Sequence, residues 1–118
     1  MPHILIIEDD TAFCQILQNF LTNKGYEVQT SSNAPDAKSK FRKTRFDLVL
    51  TDLRLPDYNG IQLLSEIKEV SPATAVVVMT GYAEVGTAVA AMKKGAFDYI
   101  AKPFTAELMI NKMKNLLA

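Results

Sequence analysis

The sequence has one cysteine, no tryptophan, no surplus of either charge and no long apolar run. A single thiol, Cys14, cannot close an internal disulfide, which excludes a disulfide-stapled secreted scaffold. Lys plus Arg and Asp plus Glu number 13 each, so the net charge is zero and the basic excess of a dedicated nucleic-acid binder is missing. No stretch approaches the ~20 apolar residues of a membrane span. The apolar start, Ile4 to Ile7, runs straight into Glu8-Asp9-Asp10, whereas a signal peptide needs a longer apolar region with basic residues before it. These absences fit a cytoplasmic protein that contacts neither membrane nor nucleic acid directly. What is present is ordinary globular composition, 48% hydrophobic and 22% charged. A chain of 118 residues can bury about two-thirds of its surface, so a real core forms without staples. No repeat, low-complexity segment or linker interrupts it, and residues 1–118 read as one domain.

Short apolar runs alternate with helical periodicity. Strands are expected at His3 to Ile7, Tyr26 to Thr30, Asp47 to Thr51, Ala75 to Met79 and Phe97 to Ala101. Between them, Thr11 to Lys24 places Phe13, Ile16, Leu17, Phe20 and Leu21 at helical spacing, and Gly25 stops that helix. Asn33 caps a second helix reaching about Lys43, with Pro35 in its first turn. Pro56, Asp57, Asn59 and Gly60 mark a loop before a third helix carrying Ile61, Leu64, Ile67 and Lys68. An Ala-rich helix spans Ala83 to Lys94, and Thr105 caps a last one with Leu108, Met109, Lys112, Met113 and Leu116 at helical spacing. Five βα units of this kind imply an α/β doubly wound fold, a parallel sheet of order 2-1-3-4-5 with helices on both faces.

In such a sheet, ligands bind outside the carboxyl ends of the strands. Strand 1 delivers Glu8, Asp9 and Asp10 there, strand 3 Asp52, strand 4 Thr80 and strand 5 Lys102. Crowded carboxylates repel and raise each other's pKa, and a divalent cation relieves that repulsion. Hard oxygen ligands with room for water suit Mg²⁺ better than zinc. One carboxylate can serve as nucleophile and form an acyl phosphate. Lys102 and the metal then neutralise charge, and Thr80 donates a hydrogen bond to a phosphoryl oxygen.

The segments Ile4-Leu-Ile-Ile-Glu-Asp-Asp10, Asp47-Leu-Val-Leu-Thr-Asp52-Leu-Arg-Leu-Pro56, Asn59-Gly60, Val77-Val-Met-Thr80-Gly81 and Gly95-Ala-Phe-Asp-Tyr99-Ile-Ala-Lys102-Pro103-Phe104 carry a family resemblance over essentially the whole chain. It resembles the flavodoxin-like receiver domain of two-component response regulators. The phrase Met79-Thr-Gly-Tyr-Ala-Glu84 with its Ala-rich helix is similar to nitrogen-regulation-type receivers, which usually precede an ATPase module and a DNA-binding domain. The resemblance implies a signalling switch rather than an enzyme. Asp52 accepts a phosphoryl group from a sensor histidine kinase or phosphotransfer protein, with Mg²⁺ or Mn²⁺ as cofactor. Asp9 and Asp52 ligate the metal, Glu8 (Asp in many relatives) holds it through water, and the Arg54 carbonyl is a further ligand. Thr80 and Tyr99 form the switch pair, Lys102 pairs with the phosphoryl oxygens, and the Lys102–Pro103 bond is often cis. The surface of helix 4, strand 5 and helix 5, with Ala88, Ala91, Ala96 and Tyr99, is where a homodimer or an output domain docks. A stand-alone phosphorelay intermediate and a phosphate-independent interaction module are the alternatives within the family.

Two other chemistries compete for the same sheet. Small phosphohydrolases with an Asp nucleophile commonly carry a second Asp two residues later, where this chain has Arg54. A flavin carrier needs a loop rich in Ser, Thr and Gly after strand 1, where Glu8-Asp9-Asp10 would repel a phosphate. Elsewhere, His3 reads as a packing residue and Cys14 as a small structural one. Met79, Met92, Met109 and Met113 read as core or edge packing. Lys38, Lys40, Arg42, Lys43 and Arg45 read as a solvated helix face, with a docking patch for an acidic partner as the sharper alternative.

Overall fold

The computed structural model describes residues 2–55, 58–81, 85–102, 104 and 106–117. The expectations for Pro56, Asp57, Ala83, Glu84, the Lys102–Pro103 bond and the Thr105 cap lie outside these residues. The chain runs β1 (His3–Ile7), α1 (Thr11–Asn23), β2 (Glu27–Ser31), α2 (Ala34–Lys43), β3 (Leu48–Asp52) and β4 (Arg54–Leu55). It continues through β5 (Tyr58–Asn59), α3 (Gly60–Val70), β6 (Ala75–Thr80), α4 (Val85–Lys93), β7 (Asp98–Ala101) and α5 (Ala106–Leu117). The main sheet has five strands in the order β2-β1-β3-β6-β7, all pairs parallel. With β6 and β7 as the fourth and fifth expected strands, this is the flavodoxin-like order.

Alternate residues of each strand feed opposite faces, as a pleated strand buried on both sides requires. Leu5, Ile7, Val49, Val76 and Val78 pack with Ala34, Ala37 and Phe41 of α2, Leu63, Leu64 and Ile67 of α3 and Ala91 of α4. Ile4, Ile6, Leu48, Leu50, Val77, Met79 and Ile100 pack with Cys14, Leu17 and Leu21 of α1 and Met109 and Met113 of α5. Helices α1 and α5 therefore cover one face and α2, α3 and α4 the other.

The helix ends follow local chemistry. Asp10, Asn33 and Asn59 each accept a backbone N–H of the first turn of α1, α2 and α3. Gly25 and Gly95 follow α1 and α4 at φ 95° and 107°, a conformation that costs a residue with a Cβ. Strand ends differ by one residue from the sequence pattern where pairing decides. Asp47 stands outside β3 with its carboxylate accepting from the His3 amide at 2.8 Å, while Asp52 joins β3 by pairing with Met79. The stretch expected as loop contains a small antiparallel ladder, Arg54 with Asn59 and Leu55 with Tyr58.

Several side-chain expectations need correction. Ile16 is 65% exposed, and the buried line of α1 is Cys14, Leu17 and Leu21, spaced i, i+3, i+7. Ala88 and Ala91 are 0% exposed and Ala96 is buried with them, so these three do not form a docking surface. Their small size lets α4 lie close on the sheet, and Val89, Met92, Phe97 and Leu108 are large apolar residues exposed there. Met92 is thus outside the core that holds Met79, Met109 and Met113. The basic run is not one solvated face: Lys40 pairs with Asp36 and the Thr30 carbonyl, and Lys38 with Glu66, leaving Arg42, Lys43 and Arg45 exposed. His3 is the packing residue expected, edge-on to Phe46 at 4.9 Å.

At Gly60 a Cβ would stand 2.6 Å from the Cα and carbonyl oxygen of Leu53. Gly60→Ala must push the 53–60 segment apart, and we expect it to lose roughly 1–3 kcal/mol of stability. Urea unfolding measures this as a lower midpoint, and a midpoint equal to the parent's would contradict the close approach.

Candidate functional site

The parallel sheet carries its polar residues to one edge. Glu8 follows β1, Asp52 closes β3, Thr80 closes β6 and Lys102 follows β7. Because β1, β3, β6 and β7 are consecutive neighbours, these groups converge. Lys102 donates its backbone N–H to the Thr80 carbonyl at 2.6 Å, which anchors its stem on the neighbouring strand. Its Nζ reaches across β6 to Asp52 Oδ2 at 2.7 Å and to Glu8 Oε1. Asp52 Oδ1 accepts the Arg54 amide at 2.9 Å, so both oxygens of this carboxylate are held.

Glu8 is buried, Asp52 half-buried and Asp9 exposed. Carboxylate oxygens of the three lie within 4.8 Å of one another. Hard oxygens in such a cluster, with one open to solvent, fit Mg²⁺ or Mn²⁺. Asp10 does not join them: it caps α1, accepting from the Phe13 amide at 3.0 Å. Thr80 is buried at the neighbouring strand end, with its hydroxyl on the Gly81 carbonyl. Tyr99 lies in β7 opposite Val78, half-buried against the α2–α3–α4 face, and Lys112 stands 5.9 Å from its ring.

Burial pushes the Glu8 carboxyl up to about 7, opposed by the Lys102 hydrogen bond and assisted by the nearby Asp52 charge. Burial alone would lower Lys102, but its hydrogen bonds to Asp52 and Glu8 prevail and hold it above its usual value. Burial also pushes the Cys14 thiol up, in keeping with an inert structural cysteine.

One feature of the site escaped the sequence reading. Phe13, read there only as a core position, lies with its ring centroid 4.9 Å from Lys102 Nζ and packs edge-on against Phe104 at 5.4 Å. The favourable contact between the ammonium and the Phe13 ring adds to the placement of Lys102. The spacing of Phe13 three residues past the Asp10 cap was the available signal, since it puts the ring in the first turn above the site.

The response regulator receiver domain family model matches residues 4–114. The chain is 42% identical over 115 residues to transcriptional regulatory protein ZraR of Klebsiella oxytoca, covering 98% of this chain and 26% of that protein. It is 39% identical over 100 residues to the alginate biosynthesis transcriptional regulatory protein AlgB of Pseudomonas aeruginosa, covering 85% of this chain and 22% of that one. The chain thus spans about a quarter of the length of these curated relatives. Among solved structures, a response regulator receiver domain protein from Clostridium thermocellum aligns with a TM-score of 0.94 at 34% identity, covering 99% of this chain and 94% of that chain. The receiver domain of NtrX from Brucella abortus aligns with a TM-score of 0.92 at 32% identity, covering 97% of each. Among the described residues no helix is long and apolar enough to cross a membrane.

The Glu8 environment has a pH signature. Its pKa rises from 4.5 to about 7 on folding, so within that window the folded chain holds a proton the unfolded chain has released. Stability without divalent cations therefore falls as pH rises through the window. Asp36 and Glu66, whose pKa values folding lowers, act on the acid side and lose their contribution as pH falls there. Urea unfolding in EDTA from pH 4.5 to 8 should show the decline in the parent and a flatter profile in Glu8→Gln. Parallel profiles would remove Glu8 as its source.

Proposed function

The chain belongs to the family of response regulator receiver domains, and from that membership we propose that it is the phosphoacceptor of a two-component system, with Asp52 as the acceptor. The observation that carries this reading is the Lys102 ammonium held between Asp52 and Glu8, with Asp9 in the same cluster of carboxylate oxygens. A carboxylate held by the Arg54 amide on one oxygen and by Lys102 on the other is oriented before any phosphoryl donor arrives.

In the reaction, an Asp52 carboxylate oxygen attacks phosphorus of a phosphohistidine or acetyl phosphate. The new O–P bond forms as the P–N or P–O bond to the donor breaks, and the leaving imidazole or acetate keeps the bonding electron pair. Lys102 moves its charge from the free carboxylate to the oxygens of the transferred group. The Thr80 hydroxyl, on the adjacent strand end, donates to one of them. Glu8, Asp9, Asp52 and the Arg54 carbonyl would hold Mg²⁺ or Mn²⁺. When bound, the cation neutralises the charge of the phosphoryl and carboxylate oxygens.

The output follows from the same strand edge. Recruiting Thr80 toward phosphorylated Asp52 frees space into which the half-buried Tyr99 ring turns. The surface of α4, β7 and α5, where Val89, Met92, Phe97 and Leu108 are exposed, then changes its preferred partner. The group transferred acts as a ligand that favours one of two conformers. The input partner is a sensor histidine kinase or phosphotransfer protein, and the site of action is the cytoplasm. The longer relatives are transcriptional regulators, so an output domain or a second copy is the downstream partner.

Intact mass after incubation with acetyl phosphate and Mg²⁺ should rise by one phosphoryl group, and Asp52→Asn or EDTA should abolish the gain. Undiminished labelling of Asp52→Asn would reject the acceptor assignment. Thr80→Ala should still be phosphorylated but show smaller amide shift changes across α4, β7 and α5 by NMR. Shift changes equal to the parent's would remove Thr80 from the switch.

A further inference from the structure

The carbonyl of Arg54 serves the metal only if something holds it in place. Arg54 lies in β4, which pairs with β5 through just two residues on each strand. A ladder that short does not keep its shape in water on its own. Leu53 and Leu55 sink into the core on one side of it, and Gly60 lies against the Leu53 backbone. A further anchor is Tyr58 of β5, directly across from Leu55.

The Tyr58 ring packs on the same core cluster, and its hydroxyl sits between two charged groups from different helices. It donates to Glu66 Oε1 of α3 at 2.5 Å and accepts from Lys38 Nζ of α2 at 2.5 Å. Lys38 closes the triangle, 2.9 Å from Glu66 Oε2 and 4.1 Å from the centre of the Tyr58 ring. Hydrogen bonds of this kind, with an ionised partner on each side, are among the stronger ones. Burial works against the Glu66 carboxylate, yet the Tyr58 and Lys38 hydrogen bonds prevail and keep it below its usual range. The chemistry at Asp52 uses none of these three side chains.

We propose that Tyr58, clamped between Lys38 and Glu66, is a positioning residue for the divalent cation, fixing the β4–β5 strand pair and with it the Arg54 carbonyl. This rests on the reading of Glu8, Asp9, Asp52 and Arg54 as the metal ligands. Arg54 is tied by its amide to Asp52 and by its ladder pairing to Asn59, the neighbour of Tyr58. Mg²⁺ tolerates little departure from octahedral geometry, and a shift on the order of 0.5 Å in a supporting shell already loosens a site. A bound cation itself draws the carbonyl into place, so loss of the clamp appears in metal affinity and not in the rate at saturation.

The test compares the parent chain, Tyr58→Phe and Thr74→Val by calorimetric titration with Mg²⁺ and by thermal unfolding. Thr74 is buried and bonds the Phe46 carbonyl at 2.7 Å, before β6 at the amino edge of the sheet, so its loss reports stability alone. Tyr58→Phe should weaken Mg²⁺ binding by roughly threefold to tenfold, as loss of a ligand's supporting partner does. Its phosphorylation rate at saturating Mg²⁺ should stay within about twofold of the parent. Lys38→Met should weaken binding in the same direction, and Thr74→Val should lower the melting temperature with Mg²⁺ affinity unchanged. Affinity in Tyr58→Phe equal to the parent's, or an equal fall in Thr74→Val, overturns the clamp and leaves the metal site standing. A parent chain that takes up no Mg²⁺ overturns both.

Discussion

The Lys102 ammonium between Glu8 and Asp52 is the interaction on which the functional edge of the sheet depends. Glu8 has its side chain fully buried, and a second carboxylate stands beside it across the strand. Neither burial nor that proximity is favourable for a charged carboxyl group. A cation delivered from the end of β7 opposes both without cancelling the burial, and it does so by reaching over the end of β6. The parallel sheet makes this arrangement available, because every strand of such a sheet ends its run at the same edge. The order β1-β3-β6-β7 then sets how far the lysine must reach.

The same edge is braced from two sides. On the α1 face, the Phe13 ring, backed edge-on by Phe104, packs against the Lys102 ammonium. On the other face, the β4–β5 strand pair leans on α2 and α3 through Tyr58. The first brace sits on the cation and the second on the strand pair that follows Asp52. Between them the Asp52 carboxylate is held on both oxygens, which would suit the proposed phosphoryl transfer, a reaction limited more by position and charge than by covalent chemistry at the protein. The α4 surface is of a different kind. Buried alanines bring that helix close to the sheet, and larger apolar residues remain outside where a partner can meet them.

Most of the architecture was legible because each element carries its own signal. β1 follows directly from its apolar run, and the Asn33 cap and Gly25 stop follow from residue chemistry. The errors cluster where partners outweigh local preference. Asp47 reads as the start of a strand, but its carboxylate is taken by the His3 amide. Asn59 and Gly60 read as a loop, whereas Asn59 pairs in a ladder two residues long, which has no periodicity to detect, and Gly60 starts α3. Ile16 matches a helical stripe as well as Cys14 does, and only the position of α1 over the sheet decides between them. The alanines of α4 match either a docking face or close packing, and the second is what their burial shows.

By itself, then, the amino-acid order determined the element types, the parallel sheet and the set of groups at its carboxyl edge. Alternating periodicities and strand-end chemistry are local properties that survive in any single-sequence reading. Tertiary structure alone decided which charges pair, which apolar residues are left outside and what supports the site. Lys102 finds Glu8 94 positions away, and Tyr58 bridges α2 and α3 from a stretch that reads as a loop in one dimension. Such contacts depend on distances between elements, and those distances exist only once the two faces of the sheet have been packed.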